Sequence, residues 1–565
     1  MRNAKKFLAA ALSGLMAVTM AVPAFAEEAV EMDEVQELNL VFSDLATLDV
    51  NDVRNANEFQ VLSQVQEGLF RVFTDENGND VIENAGCESY EVSEDGLTYT
   101  FHLREMNWSD GVPVVAQHYV DSIKRLLDPE LAFSYSFMAY DIVNAEEYYD
   151  GKCTVDEIGV RAVDDYTLEI QLDAAIPFFD KKLTCVCFFP IRKDIIDQYG
   201  EDWATDYTMQ VYNGPFVIDS RILENEMVLV KNENYWDAEN VYLDKVTLTE
   251  VPEEATQSLL LESQQLDMVT ASTDYVAKWQ KMTNEGVLVN ISKASPSCNY
   301  MVFNHHTGGL SGLMNNAKVC KALSLALDRE EMNELIYSGI NVPAYGLIPA
   351  NMMVGEQEFR SLAEEPLYAD AMQYVNDTEY LQNLFKEGMA EEGMGDDLSS
   401  VTLTIISSGN TTQTQAIQEY FKQTWESKLG VTVVTNICPD SSTFVTERNE
   451  NRYDMVFMGW NGDYNDPMTF MELFNTGSGY AKFMGGYSNE TYDELFNALA
   501  TISDSEVRAE NYIQMEYNLV YENAGIAPIY YKNTQIFVQS YVKNLSTPMF
   551  GTEFDFSRVY ISGKE

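Results

Sequence analysis

Along the chain the apolar residues change period repeatedly, from two in short runs to about four in longer ones. The run Glu37–Phe42 alternates and is bounded by turn residues, so it predicts a first strand. A helix is expected over 59–68, closed by Gly68. The segment 90–104 reads as a β-hairpin whose turn is Glu94-Asp95-Gly96. Val115, Tyr119, Ile123 and Leu126 have helical spacing within 114–127, and Asp128-Pro129 ends that helix. Farther on, strand 401–406, helix Thr412–Leu429 and strand 431–434 make an α/β alternation. The apolar run 184–189, which holds Cys185 and Cys187, reads as a strand with both thiols on one face. The acidic, Met- and Gly-rich stretch 385–397 is expected to be a surface loop. A final apolar run, 453–458, predicts a buried strand that breaks into the turn Gly459-Trp460-Asn461-Gly462-Asp463-Tyr464-Asn465-Asp466-Pro467. This arrangement sets one indole, Trp460, and one carboxylate, Asp463, just past the end of a strand, where open α/β sheets collect ligands. Two readings stand side by side: an apolar wall beside a fixed charge suited to a ligand ammonium, or a turn capped by Asp463 beside a core tryptophan.

Residues 1–26 have the form of a secretory signal. Arg2, Lys5 and Lys6 lead into an apolar stretch, and Ala24-Phe25-Ala26 is a small-x-small cleavage site. Leu15 follows Leu12-Ser13-Gly14 where a lipidated Cys would have to stand, so the mature chain is expected to be exported without a lipid anchor. The net charge is −55, and more negative still without the three basic residues of the signal. Such a surface does not suit nucleic acid or an anionic membrane. With 565 residues and 46% hydrophobic content there is material for several cores. The seven cysteines are few and odd in number, and read as buried small hydrophobes; unpaired thiols in an exported protein point to a reducing or anoxic habitat.

No nucleophile elbow, phosphate-binding loop, zinc spacing or His-Glu-x-x-His stands in the chain, and the stretch 75–80 departs from a calcium loop at its glycine and terminal acid positions. His305-His306 reads as a polar loop. No cofactor, no metal and no catalytic residue is expected. A secreted hydrolase would need carboxylates that meet only in space.

Several motifs together carry a resemblance. They are Tyr90-Glu91-Val92-Ser93-Glu94-Asp95-Gly96, Trp108-Ser109-Asp110-Gly111, Asn213-Gly214-Pro215-Phe216, Ala322-Leu323-Ser324-Leu325-Ala326-Leu327-Asp328, the 459–467 turn, and Ala527-Pro528-Ile529-Tyr530-Tyr531. In this order they resemble the extracellular solute-binding proteins (family 5) of oligopeptide and dipeptide ABC importers. The resemblance implies an α/β, two-lobe fold of the periplasmic-binding-protein type, class II-like, cluster C, with a small domain inserted in the first lobe. Its expected division is 27–66, 193–297 and 533–565 for lobe I, 67–192 for the insertion and 298–532 for lobe II. It implies a monomer that captures a peptide between the lobes and delivers it to the permease subunits of an importer.

The resemblance also places Asp463 against the ligand's amino group, Gly459 and Asn461 along its main chain, and Trp460 at a side-chain pocket. Tyr135 would reach the ligand from the small domain, the alternative being an aromatic cluster with Phe133 and Phe137. Arg54 and Asn55 would face the cleft. Some relatives hold the ligand carboxylate with basic residues at the positions of Phe457 and Thr414, which cannot do so here. Cys320 and Ser441 are further departures, so the carboxyl end is expected to be wider and wetter. An oligosaccharide or other solute is the alternative ligand.

Overall fold

The computed structural model describes residues 32–75, 78–409 and 411–564. The expected signal, 1–26, lies outside them, as do two residues of the turn between the paired strands Phe70–Thr74 and Asp80–Asn84.

One mixed sheet runs through both halves of the molecule. Its spatial order is Thr432–Cys438, Thr402–Ser408, Met455–Asn461, Leu288–Phe303, Ile526–Gln539, Met268–Thr270, Glu37–Phe42, Lys245–Glu250, Glu226–Lys231 and Phe216–Ile222. Two members, Leu288–Phe303 and Ile526–Gln539, are 16 and 14 residues long, and they pair antiparallel with each other. Their ladder runs in register from Leu288↔Gln539 to Ala294↔Asn533, and resumes at Cys298↔Tyr531. Between these pairs the three residues Ser295-Pro296-Ser297 stand opposite the single residue Lys532. Pro296 has no N–H to give a ladder, so the pairing opens into a bulge there.

On either side of that bulge the apolar residues gather into separate cores. One contains Leu38, Val61, Phe101, Ile123, Phe188, Leu229 and Ile561. The other large one contains Tyr300, Leu323, Phe385, Leu403, Trp425, Phe470 and Ile529, and a third, smaller cluster gathers Leu261, Val269, Trp279 and Phe537. The protein is thus a two-lobe α/β structure whose lobes are joined through a shared pair of strands.

A second sheet, in the order Cys87–Val92, Thr98–Leu103, Thr167–Gln171, Val160–Asp164, packs against the first core with the helix Ala116–Leu126. Gly96 turns its hairpin at φ +73°. Helix Thr412–Leu429 shows how local sequence dictates an element. Thr411 Oγ1 accepts from Thr414 N, Gly430 follows in the left-handed region, and Ile417, Phe421, Trp425 and Leu429 recur every four residues on the buried face.

Four expectations change. The helix expected at 59–68 is Ala56–Val65, begun by an Asn55–Glu58 capping box. Stretch 385–397 is no loop at its start: helix Thr378–Glu391 contains it, with Leu381, Phe385 and Met389 buried at i, i+4, i+8. Gly388 lets this helix approach helix Ala317–Ala326, since a Cβ there would lie 2.6 Å from Val319 Cγ2. Segment 184–189 is not a strand but a 3₁₀ turn over Val186–Phe188. Its carbonyls are taken by side chains, Asn51 Nδ2 donating to Cys187 O and Ser122 Oγ to Phe189 O, so it has no need of a neighbouring strand. The last strand extends past the expected 458 and runs Met455–Asn461, so Trp460 lies on the strand instead of beyond it.

Candidate functional site: the interlobe cleft

A cleft of about 560 Å³ lies at the bulge, and Arg54, Tyr135, Lys293, Asn461, Asp463 and Lys532 are among its lining residues. The strand Met455–Asn461 forms one edge. On one side it pairs with Leu288–Phe303 through Ser297↔Asn461, Cys298↔Trp460 and Asn299↔Gly459. On the other it pairs with Thr402–Ser408 at Ile405↔Met455 and Ile406↔Val456. Beyond Val456 the two strands part, so on that side 457–461 has no sheet neighbour among the described residues, and its last residue, Asn461, lines the cleft. Gly459 suits a tight approach, because a Cβ there would meet Asn299 Oδ1 at 2.6 Å. Gly459 and Trp460 themselves stand beside the cleft, and Asn461 within its wall.

After Asn461 the chain is folded back by Gly462 N donating to Pro296 O at 2.6 Å and Asp463 N donating to Thr469 Oγ1 at 3.0 Å. The turn is then fixed by other side chains. Asn465 Oδ1 accepts from Met353 N, and Asp466 Oδ1 accepts from Met468 N and the Tyr512 hydroxyl. The Asp463 carboxylate is therefore not the cap of this turn. Its Oδ2 is shut away from water and has no hydrogen-bond partner among the described residues. Burial pushes the Asp463 carboxyl up from 3.8 to about 7, against the pull of the Lys182 ammonium. Asp463 Oδ2 is thus a desolvated acceptor with its hydrogen-bonding capacity unused among the described residues, just past the end of a strand, with Lys182 nearby.

Trp460 packs edge-on against Tyr480 at 5.2 Å, and its Nε1 is buried without a partner among the described residues. Tyr135 lines the cleft and packs against Phe59 at 5.3 Å and Phe137 at 5.8 Å, so of the expected aromatic cluster it meets Phe137 but not Phe133. Phe133 is elsewhere, under the guanidinium of Arg125. Arg54 and Asn55 do reach the cleft wall, but both have partners. Arg54 pairs with Asp52 at 2.8 Å, and Asn55 Oδ1 caps its helix by accepting from Asn57 N and Glu58 N. Asn55 thus keeps only its amide for a ligand.

Sequence reasoning missed the cations. Lys293 Nζ donates to Glu553 O at 2.9 Å, and Lys532 stands opposite the bulge with no ion pair shown for it among the described residues. Both sit on the shared strands, where a cleft-facing lysine cannot be told in sequence from a solvent-facing one. Phe457 lies between Phe421 and Tyr530, so an aromatic wall stands there.

The small domain also touches the far lobe directly. Phe178 stacks on Tyr464 at 5.2 Å and 7°, Lys181 Nζ donates to Asn465 O at 2.7 Å and Met353 O at 3.3 Å, and Phe137 meets Tyr480 edge-on. Among the described residues no cluster of three or more His, Cys, Asp or Glu could hold a metal, and no helix is long and apolar enough to cross a membrane.

Two lobes on a shared strand pair with a polar, charge-bearing cleft between them define a solute receptor. Residues 82–482 match the model of the bacterial extracellular solute-binding proteins, family 5 (middle), and the chain belongs to that family. It is similar to a dipeptide-binding protein of Lactococcus lactis subsp. cremoris, 27% identical over 93% of this chain and 95% of the relative. It is also similar to the periplasmic murein peptide-binding protein MppA of Escherichia coli, 29% identical over 86% of this chain and 85% of that protein. A solved structure titled Listeria monocytogenes OppA bound to peptide superposes with a TM-score of 0.72, at 28% identity, covering 94% of this chain and all of that one. The family is one of extracellular or periplasmic solute-binding proteins.

Proposed function

We propose that this protein captures peptides in the interlobe cleft and delivers them to the permease subunits of an ABC importer. The observation that carries the reading is Asp463 Oδ2, shut away from water and without a hydrogen-bond partner among the described residues, just past the 457–461 strand edge. An amino-terminal ammonium supplies the missing cation, and the strand edge offers main-chain hydrogen bonds that ignore side-chain identity. Asp463 is the ammonium partner in this reading. Gly459 and Asn461 give the main-chain edge, Trp460 and Tyr135 wall the first side-chain pockets, and Arg54 and Asn55 face the ligand from lobe I. Lys532 and Lys293 supply positive charge along the shared strands.

Lobe I is 27–66, 193–297 and 533–565, the inserted domain is 67–192 and lobe II is 298–532, a division that the two separate cores and the bulge opposite Lys532 support. The protein acts as a monomer, exported without a lipid anchor, and the capture involves no catalytic step. The relatives' names and the peptide-bound solved structure support the ligand class.

Native mass spectrometry of the purified protein, followed by incubation with a random peptide library, tests this reading. Bound masses that fragment as peptides are expected. A bound oligosaccharide, or a cleft that takes no library member, refutes it.

A further inference from the structure

Behind Asp463 lies an acid pocket to which the peptide reading assigns no role. Glu472 opens the 3₁₀ turn Glu472–Phe474 that follows the Asp463 turn. From the small domain, Lys182 enters with only 8% of its side chain exposed, forms an ion pair with Asp141, and holds its ammonium 5.4 Å from the Tyr464 ring. Tyr135 and Cys185 line the cleft with Asp463, Cys187 Sγ lies 3.1 Å from Cys185 Sγ, and Tyr480 packs on Trp460. The pocket therefore gathers three carboxyl groups, Asp141, Asp463 and Glu472, around one ammonium that already has Asp141 as its partner.

Asp463 Oδ2 is shut away from water without a partner among the described residues, and the one ammonium near it is already paired with Asp141, so nothing there holds both Asp463 and its acidic neighbour Glu472 ionised. Neutrality is restored by protons or by a cation from outside. Resting on the peptide reading, we propose that Asp463 and Glu472 store protons and that the ammonium of an arriving ligand expels one from Asp463, so that capture releases a proton to solvent. Lys182 is the positioning residue that sets the pH at which this happens. The balance is simple: a protonated amine and a neutral Asp463 carboxyl become an ammonium–carboxylate pair, and one proton leaves. Glu472 keeps its proton at pH 6, where the release is read. Burial and the neighbouring Asp463 and Asp141 push its carboxyl up to about 8, against Lys182, while Asp463 stands at about 7.

Trialanine with a free amino terminus is the probe, titrated calorimetrically into the full mature protein at pH 6 and pH 8 in buffers of different ionisation enthalpy. Close to one proton released per peptide is expected at pH 6; at pH 8 Asp463 gives up only about a tenth while the peptide's own amine, about half protonated there, takes up about half, so the net turns to an uptake of about 0.4 and the affinity is roughly fivefold weaker at pH 6. Lys182→Met should move the release to higher pH, because the cation that favours the carboxylate is gone; Lys182→Arg should restore it. Asp463→Asn should abolish it. A merely structural Lys182 would lower stability without moving the pH of release. Binding with no proton release at pH 6, or a release unmoved in Lys182→Met, overturns the inference and leaves the peptide reading standing. If trialanine binds at neither pH, carbon-13 NMR of the ligand-free protein decides, with the Asp463 carboxyl identified by its loss in Asp463→Asn. A carboxyl titrating near 7 sustains the stored proton, and one near 4 overturns it.

Discussion

Replacing Asp463 by Asn separates a ligand-reading carboxylate from a structural one. The structure supplies the size of the effect. The Asp463 carboxyl stands at about 7 instead of 3.8, chiefly because burial removes its hydration. At 1.36 kcal/mol per pH unit, that gap corresponds to about 4 kcal/mol carried by the ionised, unpaired group. A ligand ammonium with good geometry removes this penalty, and an amino-acetylated peptide does not. At pH 8, where Asp463 is ionised, wild type should therefore prefer a free peptide over its acetylated twin by about 3–4 kcal/mol, roughly a thousandfold in Kd. Asp463→Asn should lose most of its affinity for the free peptide and bind the acetylated one at least as well as wild type does. Its ligand-free Tm should not fall, because Asn465 and Asp466 hold the turn and only the main-chain N–H of Asp463 bonds to Thr469. Titration calorimetry with both proteins and both peptides, plus a thermal melt, measures all of this. Equal losses for the two peptides, or a lower Tm with an unchanged preference, would refute the reasoning.

Other expectations follow from the same contacts. Phe385→Ala should destabilise the protein by about 3–5 kcal/mol in urea unfolding, because the ring is fully buried, whereas Glu387→Ala on the exposed face of that helix should change little. Lys181→Met removes charge-assisted bonds from the small domain to two carbonyls of lobe II, each worth about 1.5–3 kcal/mol, so peptide affinity should fall at least tenfold and the bound form should expand in small-angle scattering. Asp80, lifted by burial to about 6 despite bonds from Met549 N and Phe550 N, holds its proton more tightly folded than unfolded. It therefore contributes stability that is full below about pH 4 and is lost as pH rises through 6; the wild-type minus Asp80→Asn difference in urea unfolding between pH 4 and 7 should show that downward slope. Mass analysis of the secreted protein should find Glu27 as an unacylated amino terminus.

How much of this was legible before folding follows from the range of the forces involved. Local patterns sufficed for the strand Glu37–Phe42, the hairpin around Gly96 and the helix Thr412–Leu429, because alternation, a turn glycine or a four-residue stripe with caps is complete within one segment. The ordered motifs also implied the two-lobe receptor fold and pointed to the 459–467 turn. Where composition and periodicity disagreed, composition misled. The acidic residues and glycines of 385–397 masked Leu381, Phe385 and Met389, and the apolar run 184–189 looked like a strand although its hydrogen bonds come from Asn51 and Ser122, far away in sequence. The chemistry of the cleft was decided only by tertiary structure. An aspartate at 463 is the same residue whether it caps a turn or waits for a cation. Its role depends on Asp466 having taken the cap, on burial of Oδ2, and on Lys182 and Asp141 being brought up from a domain nearly three hundred residues earlier. Desolvation is a property of the whole packed surround, and charge balance a sum over groups that meet only in space, so neither leaves a signal in any single stretch of sequence.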